Sequence, residues 1–135
     1  MANEYFYTVG AEFIDFNGHL TEWGFYSYAI RAMWEISEDF DLVPLYDQFK
    51  VGPIIFDTHM QFLFEVVEGD KIIVHFKAKL SNDNRKIFRE IDITNQKGQV
   101  AVKIKSNGAF LDLEKRRVTA APKKISEKFE QYLSD

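Results

Sequence analysis

The chain contains no cysteine, so it can form no disulfide, offers no thiolate nucleophile and cannot hold a cysteine-ligated zinc. Its seven glycines are scattered, which leaves no glycine-rich loop to cradle a phosphate. Excess positive charge is also missing. Seventeen basic residues face 21 acidic ones, a net charge of −4, and electrostatics therefore supply no reason to expect nucleic-acid binding. No uncharged run approaches the ~20 residues that span a bilayer. Met1-Ala2-Asn3-Glu4 lacks the basic-then-apolar opening of a signal peptide. There is no G-x-S-x-G elbow, which disfavours a serine hydrolase. The three histidines lack H-x-x-x-H or H-E-x-x-H spacing, so no metal site is expected. What is abundant is aromatic surface. Thirteen Phe, six Tyr and two Trp in 135 residues can bury enough apolar area to offset chain entropy. Length and composition together point to one soluble domain over residues 1–135, most simply cytoplasmic and engaging neither nucleic acid nor membrane.

The pattern along the chain predicts a first strand from Tyr5 to Ile14, ending in the turn formers Asp15-Phe16-Asn17-Gly18. A helix of about twenty residues follows, from His19 to Asp39. Trp23, Tyr26, Ile30, Met33 and Ser37 fall on one stripe, while Phe25, Tyr28, Ala32 and Ile36 fill much of the remaining circumference. A helix so apolar all round is expected to be enclosed. Strands are then expected over Ile54–Val67, Lys71–Leu80, Lys86–Thr94 and Gln99–Leu113, separated by polar turns. Lys71–Leu80 alternates cleanly, as a strand with one packed and one wet face does. After Pro122, Ile125, Phe129, Tyr132 and Leu133 lie at helical spacing and predict a short C-terminal helix. The expected class is α+β, with one antiparallel sheet wrapped around one long central helix. That is the architecture of a hotdog domain, although another α+β roll has the same element order.

Asp15-Phe16-Asn17-Gly18-His19 is the stretch richest in chemistry. It sets an acid, an amide and an imidazole at spacings of two, where a strand gives way to a long helix. A helix N-terminus carries unpaired N–H groups and a positive dipole end, which suit a developing oxyanion. A carboxylate beside it can act as nucleophile or as general base. The same residue types also serve turns and N-caps for purely structural reasons. His59, polar amid Ile54, Ile55, Phe56, Met60 and Phe62, is a candidate participant or a hydrogen-bonded strand residue. The basic run Lys115-Arg116-Arg117 suits phosphate recognition, or is a solvated strand end.

Asp15-Phe16-Asn17-Gly18-His19-Leu20-Thr21-Glu22, with Tyr26 one turn on, resembles the hotdog thioesterases of the 4-hydroxybenzoyl-CoA thioesterase type, nearest to the acyl-CoA thioester hydrolase branch with betainyl-CoA thioesterase-like domains. The resemblance extends through Thr58-His59-Met60-Gln61-Phe62-Leu63-Phe64-Glu65, Gly69-Asp70 and Leu111–Arg117, covering the chain from about Tyr7 to Pro122. Most such relatives carry His-Val-Asn-Asn where this chain has His19-Leu20-Thr21-Glu22, the form of the betainyl-like branch. The resemblance implies an acyl-CoA thioesterase that releases a small or medium carboxylic acid and free CoA. It places the catalytic carboxylate on Asp15, with Asn17 and His19 as positioning or proton-handling partners. Gly18 and His19 would supply oxyanion amides, and Thr21, Glu22, Tyr26, His59, Arg116 and Arg117 would meet the substrate. It implies no metal or cofactor beyond the CoA of the substrate. The terminal strands of a single-layer sheet would leave unpaired edges, so two sheets are expected to join edge to edge in a homodimer, which can pair again as a dimer of dimers. Two other expectations remain open: a non-catalytic module holding an acyl or aromatic ligand, and a hydratase or dehydratase acting on enoyl thioesters.

Overall fold

A computed structural model describes residues 3–134; Met1, Ala2 and Asp135 lie outside them, and with them the first two residues of the N-terminal stretch read above. The chain runs β1 (Asn3–Thr8), α1 (Glu22–Asp39), α2 (Leu42–Phe49), β2 (Val51–Phe62), β3 (Lys71–Leu80), β4 (Lys86–Thr94), β5 (Val100–Asp112), β6 (Arg117–Thr119) and α3 (Lys123–Lys128). The strands form one six-stranded sheet in the order β1-β3-β4-β5-β2, with β6 also paired to β5. Every pairing is antiparallel. The helices complete a mixed α and β architecture.

β3 and β4 occupy the expected ranges, and their faces divide by parity. Ile72, Val74, Phe76 and Ala78 of β3 are buried, as are Ile87, Ile91 and Ile93 of β4. One turn chemically suited to reversal stands before β3 and another after β4. Gly69 and Gly98 adopt φ of +88° and +78°, a region that costs glycine nothing. β1 is shorter than expected. Gly10 and a 3-10 turn over Ala11–Phe13 interrupt it, and Ile14 returns only as an isolated bridge to Leu20. β2 begins at Val51 and leaves the sheet after Phe62, five residues before the expected end. The segment beyond it turns toward the start of α1, where the Val66 carbonyl accepts from Leu20 N–H at 2.7 Å.

α1 begins at Glu22, not at His19. Thr21 is its N-cap, with Oγ1 accepting from Gly24 N–H at 3.1 Å. Its buried stripe is Phe25, Tyr28, Ala29, Ala32 and Ile36, at helical spacing. Trp23 and Trp34 are 59% and 47% exposed, so within one chain the helix is covered on its sheet-facing side and not all round. Two elements were not expected. α2 buries Leu42 and Tyr46, one turn apart, and is bracketed by the left-handed residues Asp41 and Lys50. Three-residue β6 pairs with the end of β5. The C-terminal helix forms as expected and runs into a π turn over Phe129–Leu133; Ile125, Phe129 and Leu133 are buried, and Tyr132 stacks on Phe40. Among the described residues, no helix is long and apolar enough to cross a membrane.

Candidate active site

The Ile14–Leu20 bridge pinches the chain into a five-residue loop, Asp15–His19, ahead of α1. The Asp15 carbonyl accepts from Gly18 N–H at 3.0 Å, closing a β-turn that ends on Gly18 at φ +81°. The Asp15 carboxylate accepts from the backbone N–H of Asn17 at 2.9 Å. This Asx turn holds the carboxylate while leaving it exposed. The His19 ring is half-buried, with Nδ1 3.2 Å from the Leu20 carbonyl. A carbonyl only accepts, so the contact is made with a proton on Nδ1, and in the neutral ring Nε2 is then the acceptor.

These groups border an open cleft of about 980 Å³ between the start of α1 and the end of β2. Asp15, Asn17, His19, Thr21, Glu22 and Tyr26 all line it, so six of the expected site residues converge. Its apolar wall comes from both elements, and Phe25 of α1 meets Phe62 of β2 with ring centres 5.8 Å apart. At the mouth, the first-turn N–H groups of Glu22 and Trp23 have no intrahelical acceptor, whereas those of Gly24 and Phe25 are taken by Thr21.

Several expectations change with this geometry. The Gly18 amide is already engaged by Asp15, and Gly18 and His19 precede the helix instead of opening it. Among the described residues, the helix N-terminal donors without a hydrogen-bond partner are therefore those of Glu22 and Trp23. Thr21 lines the cleft, and its Oγ1 accepts from Gly24 N–H to cap α1. His59 does not reach the cleft of its own chain. It stands opposite Lys105 in the β2–β5 register, whereas Thr58, Met60 and Phe62 stand opposite Ser106, Ile104 and Val102, which face the core. Strand parity puts His59 on the outer face. Arg116 closes the β5–β6 turn and Arg117 opens β6, opposite Asp112. Val102 lies level with the cleft and Asp112 ten residues further along β5, about 33 Å away at strand rise.

One residue carries no motif and was not anticipated. Arg89 projects inward from β4 and is only 5% exposed; its Nη2 donates to the Tyr26 hydroxyl at 3.1 Å and to Ser106 Oγ at 3.3 Å. Its only signal in the sequence is parity, since it takes an inward place in the alternation Ile87, Arg89, Ile91, Ile93.

A family model described as the thioesterase-like superfamily matches residues 9–129. No curated protein matches the sequence. Among solved structures, the 1,4-dihydroxy-2-naphthoyl-CoA thioesterase Slr0204 from Synechocystis aligns with a TM-score of 0.85 at 12% identity, covering 98% of this chain and 98% of that one. The probable thioesterase YbaW from Escherichia coli aligns at 0.86 and 17% identity, over 97% and 98% of the two chains. The hypothetical protein SAV2348 from Staphylococcus aureus, solved in complex with CoA, aligns at 0.87 and 18% identity, over 98% and 84%. At such identities the likeness concerns the fold, which in these neighbours is the hotdog.

Proposed function

Because the chain belongs to the thioesterase-like superfamily, a family of thioester hydrolases, we propose that it hydrolyses an acyl-CoA of small or medium chain length at the Asp15 cleft. The observation that carries the reading is the meeting of an exposed carboxylate, an imidazole acceptor and two free helix N–H groups at the mouth of one apolar cleft. Asp15 delivers an oxygen to the thioester carbon, either its own or that of a water it deprotonates. The Glu22 and Trp23 amides receive the charge that develops on the carbonyl oxygen. The C–S bond then breaks and the CoA thiolate takes up a proton; where Asp15 itself attacked, a water next cleaves the acyl–Asp15 anhydride, and in either case the acid is released. His19 Nε2 and the Asn17 side chain orient the water and the carbonyl.

The reading includes a second copy of the chain. The lining of the cleft contains Asp15, Glu22 and Glu65 but no Lys or Arg, a poor match for the phosphates of CoA. β2 ends the sheet with its outer edge unpaired among the described residues. Two copies joined antiparallel along β2 remove that edge and bring the start of one β2 beside the end of the other. The Arg116–Arg117 turn lies at the start of β2, where the Leu113 N–H bonds the Lys50 carbonyl, so each copy serves the cleft of the other. The exposed Trp23, Phe62 and Phe64 at the rim are covered in the same step.

Thiol release from an acyl-CoA panel tests the activity. Steady release with unsaturated and saturated substrates alike supports hydrolysis; loss of enoyl absorbance without thiol would make the protein a hydratase, and binding without turnover a ligand module. Light scattering that finds a monomer at micromolar concentration overturns the shared site.

A further inference from the structure

On the far side of Tyr26 from the cleft lies a second cavity, between α1, α2 and the inner face of the sheet. Its volume is about 180 Å³, somewhat more than the ~150 Å³ apolar cavity that admits a benzene ring. The walls are almost entirely apolar, with Ile30, Met33, Leu42, Ile55 and Phe76 among them, and no Asp or Glu lines it. Yet Arg89 also lines it. The guanidinium has five N–H donors. Two go from Nη2 to the hydroxyls of Tyr26 and Ser106, and one from Nη1 to the Met33 sulfur, a weak acceptor. The Nε donor is buried with no partner, and no carboxylate forms an ion pair with Arg89 among the described residues.

A buried cation held only by hydroxyls and a thioether is far from compensated. Removing a guanidinium from water costs several kcal/mol unless an anion faces it. Here the place for that anion is the cavity that Arg89 borders, where a carboxylate would face the charge. We propose that the cavity receives the far end of the acyl group and that this end is a carboxylate paired with Arg89, so that the substrates are CoA thioesters of medium-chain dicarboxylic acids. This rests on the hydrolase reading above.

The register sets the length. Met60 and Phe62, which line the cleft, stand opposite Ile104 and Val102, whereas Arg89 bonds Ser106. Two to four residues separate these levels, about 7–13 Å at strand rise. An extended chain advances ~1.2 Å per bond, so that distance corresponds to roughly six to eleven bonds. Tyr26 lines both spaces and hydrogen-bonds Arg89, so its side chain is the boundary they share and the point an acyl chain must pass.

The test compares octanedioyl-CoA, with one free carboxylate, against octanoyl-CoA in thiol release. Wild-type protein should show a kcat/KM at least about tenfold higher for octanedioyl-CoA, as expected for one charge-assisted contact. Arg89→Met should bring the ratio near one, and Arg89→Lys should fall between. Equal or better hydrolysis of octanoyl-CoA by wild-type protein overturns the proposal while leaving the hydrolase reading intact, and does so even where the Arg89 variants fail to fold. If neither thioester is hydrolysed, the hydrolase reading has failed. The anion site is then judged by thermal shift: stabilisation by octanoate but not by octanamide, lost in Arg89→Met, supports it, and equal shifts overturn it.

Discussion

Replacing Asp15 by Asn removes the proposed chemistry while disturbing little else. Asp15 is exposed, and its Oδ1 accepts one hydrogen bond, from the Asn17 N–H at 2.9 Å. Asparagine keeps a carbonyl oxygen for that contact, so stability should move by no more than ~0.5 kcal/mol, the usual span for surface changes. Asp15→Ala deletes the acceptor and should cost about 0.5–1.5 kcal/mol. Turnover should respond differently. Neither Asn nor Ala can deliver an oxygen or take a proton, and loss of such a group costs ~10²–10⁴ in rate. At 1.36 kcal/mol per tenfold, that is about 2.7–5.4 kcal/mol of barrier, several times the change in stability. The two variants should therefore match in turnover and differ in stability. KM should change little, because the apolar walls remain. Thiol release under saturating acyl-CoA reads turnover, and urea denaturation reads folding. A folded Asp15→Asn protein with turnover within about threefold of wild type would refute the mechanism. Failure of that variant to fold would leave Asp15 only its turn.

Thr21→Ala should lower stability by about 0.5–2 kcal/mol through loss of the α1 N-cap and leave KM unchanged; a raised KM at constant stability would return Thr21 to the substrate. Gly108→Ala should lower the unfolding free energy read from urea denaturation by more than ~2 kcal/mol, and the midpoint with it, since its Cβ would stand 1.9 Å from the Ile54 carbonyl oxygen across the β2–β5 pairing. An unchanged midpoint would mean that the bulge after Ile55 can shift freely. Burial pushes the Tyr46 hydroxyl above its ordinary value of 10.0. The stability this contributes is fully present below that value and is lost as pH rises through the folded-state pKa. The urea midpoint of wild-type protein should accordingly fall more steeply above pH ~10 than that of Tyr46→Phe, and parallel curves would contradict it.

Much of this fold is legible in the sequence because its signals are local. Alternation marks β3 and β4 over their full lengths, and spacing of four and eight marks Ile125, Phe129 and Leu133 as one buried face. The Asp15–His19 loop is equally local. Turn formers close on one another within five residues, and Thr21 starts the helix with its own hydroxyl. Other features depend on what lies across the sheet. Parity sorts His59 from Met60, but only the pairing of β2 with β5 decides that His59 faces outward and Met60 the cleft. Basic residues at 116 and 117 look suited to phosphate in sequence, yet the length of β5 carries them to the other end of the sheet. α2 escaped notice because eight residues carry barely two turns of pattern, and its two buried residues acquire meaning only against the core. Arg89 shows the division most sharply. Its inward direction was available from alternation alone, but that it meets Tyr26, Met33 and an apolar cavity, and no carboxylate, depends on residues up to 63 positions away that only packing brings together.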